Sequence, residues 1–402
     1  MTTKEVIDLE QQYLAPTYGR PPIVLDRGSG MYLYDLEGKR YLDFIGGIAV
    51  NSLGHAVPEI IAAVSHQSAK LMHVSNLYHT VPHAVLAQML VENSFTSKVF
   101  FCNSGSESIE AALKFSRRWA YGEGGEAKHE IVSFEHSFHG RTYGAISATA
   151  QPQYHEGFMP MLPGMVYLPF NDVAALDQAI FKDKTAAVIV EPLQGEGGVN
   201  PAKMEFLTMI RNLCDERNVV LIFDEIQCGL CRTGKLFTYQ HHGVEPDVMT
   251  LAKPLGGGLP IGAVLMKPHI ADHLRPGLHG STFGANPVVC HVATAVVKKM
   301  LDDDIAGKAA ASGKGLMDGL KALQRRHPDI KEVRGLGLLV GVEFEGEVSG
   351  IVSACQEKGL LVGSAGTNVL RCAPALTIDQ AHIDEAIAII GDVLEGRGEA
   401  DA

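Results

Sequence analysis

The feature that most constrains this chain is an alternation, from about residue 99 to 266, of short apolar runs with longer helical patterns. Continuous apolar runs are typical of strands that are buried on both faces, as in parallel sheets. The pattern therefore predicts an α/β unit on a largely parallel or mixed sheet. The candidate strands lie at 130–134, 186–190, 219–223, 247–251 and 262–266.

The flanking segments differ from this alternation. A hairpin pattern occupies 31–42, helical periodicity covers 290–325, and a Gly-rich apolar run at 331–344 precedes two further helical patterns. We expect a smaller α+β domain at the C-terminus and an N-terminal segment that packs with it. The predicted parts are residues 1–60, a large domain at 61–310 and the small domain at 311–402.

Composition excludes several classes of function. Lys and Arg number 34 against 46 Asp and Glu, a net charge of −12, which makes nucleic acid and anionic membranes poor partners. The N-terminus is polar and acidic, and no apolar run approaches the ~20 residues that a membrane span needs. Seven scattered cysteines are not typical of a disulfide scaffold. These patterns predict a cytoplasmic protein with reduced thiols and no metal centre.

One segment, Phe100-Phe-Cys-Asn-Ser-Gly-Ser-Glu-Ser, enters a Gly/Ser turn that opens a helix. Free backbone N–H groups, the close approach that Gly105 permits, the Ser106 hydroxyl and the helix dipole would all favour a bound phosphate. An ordinary helix cap is the alternative, because Ser104 and Glu107 also satisfy the Ser-x-x-Glu capping box. The segment alone does not decide between them.

Two charged residues follow predicted strands at what would be the ligand edge of the sheet. Asp224 could hold a cationic heterocycle or a metal, or merely cap the next turn. Lys253 precedes a triple-Gly turn, and a desolvated lysine becomes a nucleophilic amine. A solvated lysine at the sheet edge is the commoner case, but the Gly-rich flank suits the close approach of a planar ligand.

Eight segments in order resemble the class III, fold type I pyridoxal-phosphate aminotransferases, most closely the acetylornithine aminotransferases. The resemblance covers most of the chain and implies a large domain with a mostly parallel seven-stranded sheet flanked by helices, plus a smaller α+β domain. The segments are Gly46-Gly-Ile-Ala-Val-Asn, Phe101-Cys-Asn-Ser-Gly-Ser-Glu, Ser137-Phe-His-Gly-Arg-Thr, Val190-Glu-Pro-Leu-Gln-Gly-Glu-Gly-Gly, Phe223-Asp-Glu-Ile-Gln, Leu251-Ala-Lys-Pro-Leu-Gly-Gly-Gly, Gly280-Ser-Thr-Phe-Gly-Ala-Asn-Pro and Val369-Leu-Arg-Cys-Ala-Pro-Ala-Leu.

The resemblance implies pyridoxal 5'-phosphate as the cofactor. Lys253 would attach it covalently and move the proton, and Asp224 would pair with the ring nitrogen. Gln227 would bind the phenolic oxygen, and Phe138 would stack on the ring. The phosphate ligands would be Gly105, Ser106 and, from the neighbouring subunit, Thr282, which implies a homodimer with shared active sites.

The resemblance also implies the substrates N2-acetylornithine and 2-oxoglutarate or glutamate. Two arginines would bind carboxylates, Arg141 the distal one and Arg371 the α-carboxylate of glutamate. Glu196 would pair with Arg371 when an uncharged reacting end is bound, and Ser281 would lie near acetylornithine. Ile48 stands where ornithine aminotransferases carry an aromatic residue, and an apolar side chain suits an acylated amine.

The sequence leaves alternative functions open. The same chemistry could act on succinylornithine, N-succinyl-diaminopimelate, ornithine or 4-aminobutyrate. The sequence lacks the Gly-x-Gly-x-x-Gly signature of a nicotinamide dehydrogenase, which argues against that function. The intact Lys253 and Asp224 argue against a non-catalytic homologue, which would not need them. The Cys228-x-x-Cys231 pair departs from the family pattern. A zinc or redox role is one interpretation, but the sequence offers no second pair of ligands for it. The other interpretation is that Cys228 alters cofactor packing or makes the enzyme sensitive to thiol reagents.

Overall fold

A computed structural model describes the backbone of residues 1–400 and the side chains of residues 1–396. A seven-stranded sheet forms its centre, in the order β4-β12-β11-β10-β7-β5-β6. The strands are β1 Leu25–Ser29, β2 Tyr32–Asp35, β3 Arg40–Asp43, β4 Lys98–Cys102, β5 Glu130–Phe134, β6 Met165–Leu168, β7 Thr185–Val190, β8 Leu193–Gln194, β9 Asn200–Pro201, β10 Val220–Asp224, β11 Val248–Leu251, β12 Gly262–Met266, β13 Ile330–Leu336, β14 Leu339–Phe344, β15 Leu360–Leu361, β16 Gly363–Ala365 and β17 Val369–Cys372.

Helices cover the central sheet and connect its strands. They are α1 Thr3–Tyr13, α2 Gly46–Ala49, α3 Pro58–Lys70, α4 Val81–Glu92, α5 Gly105–Gly124, α6 Tyr143–Ala148, α7 Val173–Leu176, α8 Met204–Arg217, α9 Tyr239–His242, α10 Pro268–Ala271, α11 Pro287–Asp302, α12 Ile305–Gln324, α13 Ser349–Glu357 and α14 Gln380–Ala400, with short 3₁₀ turns at Gly125–Ala127, Pro152–Tyr154 and Lys253–Gly256. Within the described residues, no helix has the length and apolar character that crossing a membrane requires.

The central sheet is mostly parallel, as predicted. Strand β12 pairs antiparallel with both β11 and β4, and the other adjacent pairs are parallel. All residues of β7, β10, β11 and β12 are buried, which is why these strands are continuous apolar runs in the sequence. The predicted bounds of β5 and β12 match the structure, those of β7 and β11 differ by one residue at one end, and that of β10 is shifted by one residue at both ends.

The C-terminal part contains a four-stranded antiparallel sheet, β13-β14-β17-β16, with helices α13 and α14. The predicted hairpin at 31–42 is β2 paired with β3, and β3 also pairs in parallel with β15 from the C-terminal part. This pairing adds a strand from the C-terminal part to the sheet of the N-terminal segment, in the order β1-β2-β3-β15. The three-part division itself stays a prediction, and α12 runs without interruption across its boundary at residue 310.

Candidate functional site

Five strands of the central sheet end at one edge, and each leads into a segment of the candidate site. Strands β5, β7, β10 and β11 are mutually parallel, and β4 runs the same way because two antiparallel pairings separate it from β11. Their carboxyl ends therefore meet, which is where ligands bind in open α/β sheets. This edge brings together residues that are far apart in the sequence.

A cavity of about 410 Å³ opens at this edge. All of the predicted cofactor residues except Thr282 line the cavity. Of the predicted substrate residues, Glu196 lines it, whereas Arg141, Ser281 and Arg371 do not. The predicted residues in its wall are Gly105, Ser106, Phe138, Glu196, Asp224, Gln227 and Lys253.

Asp224 is the last residue of β10 and is buried at the base of the cavity. Its Oδ2 lies 2.7 Å from Nδ1 of His139, while its Oδ1 accepts hydrogen bonds from the Ile226 N–H (3.0 Å) and the Thr250 hydroxyl (3.3 Å). These partners fix the orientation of the carboxylate. A buried carboxylate held in this way can bind a cationic ring nitrogen.

Lys253 begins the 3₁₀ turn after β11 and has a φ of +31°, which is rare for a residue with a side chain. Burial lowers the pKa of its amine, and the nearby Arg371 adds to this, whereas the carboxylates of Glu196, Asp224 and Glu191 oppose it. A lowered pKa increases the fraction of the amine that is neutral. The neutral amine can act as a nucleophile and accept a proton.

Arg371, on β17, reaches the cavity through an ion pair. Its Nη1 lies 2.6 Å from Oε1 of Glu196 and donates to Oε1 of Gln227 at 3.4 Å. Burial alone would raise the pKa of Glu196, but the Arg371 guanidinium outweighs it and the pKa is lowered. The pair is therefore ionised, and it brings the small sheet into contact with the cavity wall.

The rim of the cavity near the start of α5 has polar groups on one side and aromatic rings on the other. The Ser106 hydroxyl accepts the Arg141 N–H at 3.1 Å, which joins two of the predicted residues. The Arg141 guanidinium lies over the Tyr154 ring at 3.9 Å and over the Phe138 ring at 5.5 Å. Such stacking orients a guanidinium while leaving its N–H groups free for a carboxylate.

The capping box predicted for α5 is only half present. The Ser104 hydroxyl accepts the Glu107 N–H at 3.2 Å, as predicted, and caps the helix. The Glu107 carboxylate does not bind the Ser104 N–H but accepts from the N–H and side-chain amide of Asn103, at 2.6 and 2.9 Å. Asn103 in turn binds the Ser281 hydroxyl at 3.1 Å, so this alternative partner ties α5 to a distant loop.

Ser281 and Thr282 lie outside the cavity wall, on a loop whose following residue, Phe283, is 62% exposed. Asn76 donates to the carbonyls of Ser281 and Gly284, at 3.0 and 3.1 Å. The loop therefore adjoins an exposed apolar surface, the 71–81 patch. Its apolar members are Leu71, Met72, Leu77, Tyr78 and Val81.

Residues 46–49 form a left-handed helical turn, α2. Their φ values are +57°, +62°, +63° and +62°, and the Val50 N–H donates to the Gly46 carbonyl at 2.8 Å. Glycine adopts this conformation freely, whereas Ile48 and Ala49 each lose about 1–2 kcal/mol. Ile48, Ala49, Gln227 and Arg371 line one small recess beside the main cavity. Backbone strain beside a cavity is typical of functional sites.

Sequence reasoning missed two buried residues of the site. His139 belongs to one of the eight motifs, but the sequence predicts no role for it; in the structure it is the partner of Asp224. Glu191 accepts the Phe138 and Gly195 N–H groups, at 2.8 and 3.2 Å, and burial raises its pKa to about 7. No spacing rule predicted either contact. The only signal was that Glu191 directly follows β7 and that His139 lies in the segment after β5, both at the ligand edge.

The Cys228-x-x-Cys231 pair lies in the interior. Both thiols are buried, and burial raises the pKa of Cys231 to about 12 and that of Cys228 well above its ordinary value. Thiols with such pKa values are poor nucleophiles. Among the side chains that the structure describes, no group of three or more His, Cys, Asp or Glu residues could hold a metal ion.

Comparison with known proteins identifies the family. Residues 13–394 match the model of the family "Aminotransferase class-III". The acetylornithine aminotransferases of Methanocaldococcus jannaschii and Clostridium acetobutylicum are each 47% identical to this chain; the alignments cover 98% and 96% of it and 98% and 100% of those proteins.

Solved structures agree with this assignment. The ornithine aminotransferase of Toxoplasma gondii superposes with a TM-score of 0.95 at 34% identity, covering 100% of this chain and 96% of that one. The acetylornithine aminotransferase of Elizabethkingia anophelis superposes with a TM-score of 0.88 at 33% identity, covering 98% and 100%. The chain belongs to the class III aminotransferases.

Proposed function

We propose that this enzyme transfers the δ-amino group of N2-acetyl-L-ornithine to 2-oxoglutarate, giving N-acetyl-L-glutamate 5-semialdehyde and L-glutamate, as a step of arginine biosynthesis. The observation that carries the proposal is the meeting of Lys253, Asp224 and the Glu196–Arg371 pair at one cavity. The near-complete alignment with acetylornithine aminotransferases supports the choice of substrate.

Class III aminotransferases depend on pyridoxal 5'-phosphate, and the cavity suits that group. The buried anion of Asp224 at the base of the cavity suits the cationic ring nitrogen of the cofactor, and the amine of Lys253 in the wall suits its aldehyde. The N-terminus of α5 at the rim suits its phosphate. The backbone at Gly105 passes close to Ile226, 3.0 Å from the position of an added Cβ, so a larger residue would narrow the cavity there. When bound, the cofactor supplies an electron-accepting ring and exchanges amino groups.

Four residues are proposed to orient the cofactor ring or to move the proton. Asp224, held by His139, keeps a cationic ring nitrogen protonated. Lys253 would accept the proton from the substrate carbon at its Nζ and return it to the reacting carbon of the cofactor. Phe138 would cover the face of the ring, and Gln227 would bind its phenolic oxygen. Together they exclude water from the reacting atoms.

The two substrates place different charges beside Arg371. With glutamate bound, we propose that Arg371 binds the α-carboxylate and Glu196 moves aside. With acetylornithine bound, the reacting end carries no carboxylate, and the 2.6 Å contact of Arg371 with Glu196 neutralises the cation. Arg141 binds the distal carboxylate of either substrate, and Ser281 lies near acetylornithine.

A homodimer with shared active sites is part of the proposal. The 71–81 patch and Phe283 expose large apolar side chains beside the loop of Thr282, and contiguous exposed apolar surface is typical of protein interfaces. An exposed Thr282 is available to the phosphate of a neighbouring subunit. The cytoplasmic location remains a prediction from the sequence.

A visible spectrum of the purified protein tests the proposed function. N-acetylornithine, ornithine, succinylornithine and 4-aminobutyrate are added separately, followed by 2-oxoglutarate. We expect the yellow absorption of the bound cofactor to disappear fastest with N-acetylornithine and to return with 2-oxoglutarate. A faster response to another amine would keep the chemistry and replace the substrate, and no absorption after added pyridoxal phosphate would contradict the proposal.

Ornithine is the second candidate, because an ornithine aminotransferase superposes with a TM-score of 0.95. The argument against it is local. Ile48 is 50% exposed at the recess beside Arg371, and an apolar wall there gives no ionic partner to the free α-ammonium of ornithine. An acylated nitrogen carries no charge and loses less on contact with this wall.

A further inference from the structure

Asp43 is buried just before the left-handed turn 46–49 and binds the backbone that enters it. Its Oδ1 accepts the N–H groups of Ile45 and Gly46, at 2.9 and 2.8 Å. Its Oδ2 lies 2.7 Å from Nε2 of His55, which is also mostly buried. One carboxylate thus joins the start of the turn to a side chain twelve residues away.

His55 is itself fixed on the side away from the turn. Its backbone exchanges two hydrogen bonds with Gly30, at 3.0 and 2.8 Å. A Cβ atom added at Gly28 would lie 2.6 Å from the Cβ of His55, so the histidine packs directly on the backbone of β1. The Asp43–His55 pair therefore attaches the turn to the β1–β2 hairpin.

The turn requires such an attachment because its conformation is unfavourable for L-residues. Ile48 is β-branched and stands at φ +63°, ψ +55°, where a β-branched residue is an outlier. Strained backbone persists only when surrounding contacts hold it. Without them, the segment would relax and move Ile48 and Ala49 relative to Arg371, with which they share a recess.

We propose that Asp43 and His55 are positioning residues that set substrate discrimination: they hold the strained turn, and the turn holds the apolar wall beside Arg371. The wall disfavours amino acids with a free α-ammonium and accepts those whose α-nitrogen is acylated. This inference rests on the proposed function. Asp43 and His55 would influence the choice of substrate through the turn, without contacting the substrate themselves.

The test is the ratio of kcat/KM for N-acetylornithine to kcat/KM for ornithine, measured on the cofactor-loaded enzyme. Asp43→Asn keeps an oxygen for the two N–H groups and removes the charge that faces His55. We expect the ratio to fall about tenfold, the size of a lost apolar contact in a specificity pocket. His55→Gln should lower it similarly, and the double variant should fall no further than either one, because one interaction is lost in all three.

Asp35→Asn is a closely matched control. Asp35 is also buried, its Oδ1 accepts the N–H groups of Glu37 and Lys39 (3.1 and 2.8 Å), and its Oδ2 accepts the Tyr41 hydroxyl (2.9 Å). It lies in the same N-terminal segment but does not contact the turn. A general loss of stability would affect both aspartate variants, whereas a positioning role changes the ratio only in Asp43→Asn.

Each outcome has a distinct meaning. An unchanged ratio in Asp43→Asn, or an equal fall in Asp35→Asn, overturns the positioning role. If Asp43→Asn does not fold, Ile48→Gly replaces it, because glycine relieves the strain and removes the wall; an unchanged ratio there also overturns the proposal. No turnover of N-acetylornithine by the unaltered enzyme overturns the proposed function, and with it the substrate preference inferred here.

Discussion

Among single residues, Lys253 has the environment that the proposed chemistry depends on most. Its pKa is lowered by burial, yet three carboxylates nearby limit the shift, so the amine can both bind and release a proton. This balance is a property of the whole cavity. It gives the lysine a function that its position in the sequence only suggests.

We predict that Lys253→Ala removes covalent cofactor attachment and lowers turnover by about 10²–10⁴-fold, the usual contribution of a positioned acid or base. The absorption spectrum after denaturation and a coupled glutamate assay measure the two effects. Lys267→Ala, a partly exposed lysine near Asp247 on the opposite edge of the sheet, is the control. Turnover at the unaltered rate in Lys253→Ala would contradict the assignment.

Asp224→Asn is predicted to preserve the hydrogen bonds to His139 and Thr250 but to remove the negative charge. The ring nitrogen would then lose its proton, and turnover should fall by about 10²–10³-fold, as when a preorganised electrostatic partner is removed. The cofactor should still bind, which its absorption would report. Asp215→Asn, at an exposed carboxylate that pairs with the mostly buried Arg211, is the comparison that should leave turnover unchanged.

Between elements, a buried carboxylate connects β10 to α9. Glu225 follows Asp224, and its two oxygens accept the N–H groups of Thr238 and Tyr239, at 2.6 and 2.7 Å. Burial raises its pKa from 4.5 to about 7, and the two hydrogen bonds oppose the shift. The protonation of this side chain is therefore coupled to folding.

The sign follows from the raised pKa. Between about pH 4.5 and 7 the folded chain keeps the Glu225 proton that the unfolded chain has released, so the stability from this group is complete at low pH and is lost as the pH rises towards 7. The total is at most about 3 kcal/mol. We predict that the free energy of unfolding of Glu225→Gln, relative to the unaltered chain, rises over this range.

Urea denaturation at a series of pH values measures this difference. Glu347→Gln, at an exposed residue outside helices and strands, controls for the loss of one carboxylate. A difference in unfolding free energy that stays constant from pH 4.5 to 7 would show that Glu225 is already ionised in the folded chain. The two short hydrogen bonds from the backbone would then lower the pKa of Glu225 by as much as burial raises it.

For the whole molecule, the dimer proposal predicts complementation between two inactive variants. Lys253→Ala removes the reacting amine, and Thr282→Asp places a negative charge where the partner's phosphate would lie. If each site takes Lys253 from one subunit and Thr282 from the other, a mixed dimer contains one intact site. Equal mixing after reversible dissociation should restore about a quarter of full activity.

The glutamate assay on refolded mixtures measures this recovery. Each variant refolded alone is the control and should stay inactive. No recovery, from mixtures that analytical ultracentrifugation shows to be dimeric, would mean that each site is complete within one subunit. In that case the 71–81 patch would still need a partner, but Thr282 would not belong to the site.

The sequence by itself determined the secondary structure of the central unit and the residue types of the site. Burial on both faces makes a strand a continuous apolar run, so β5 and β12 were predicted with their observed bounds. Strand β6 was not among the predicted strands, because Met165, Val166 and Tyr167 are only partly buried or exposed. Cofactor residues could be named because each belongs to a motif that is local in sequence.

Only the tertiary structure decided how these residues meet. The Glu196–Arg371 pair spans 175 residues and the His139–Asp224 contact spans 85, and both depend on the order in which strands join the sheets. Local patterns report how each segment is buried, but not which segment lies beside it. The left-handed turn at Ile48 is the clearest case, because Asp43, His55 and the neighbouring strands hold a conformation that its own residues disfavour.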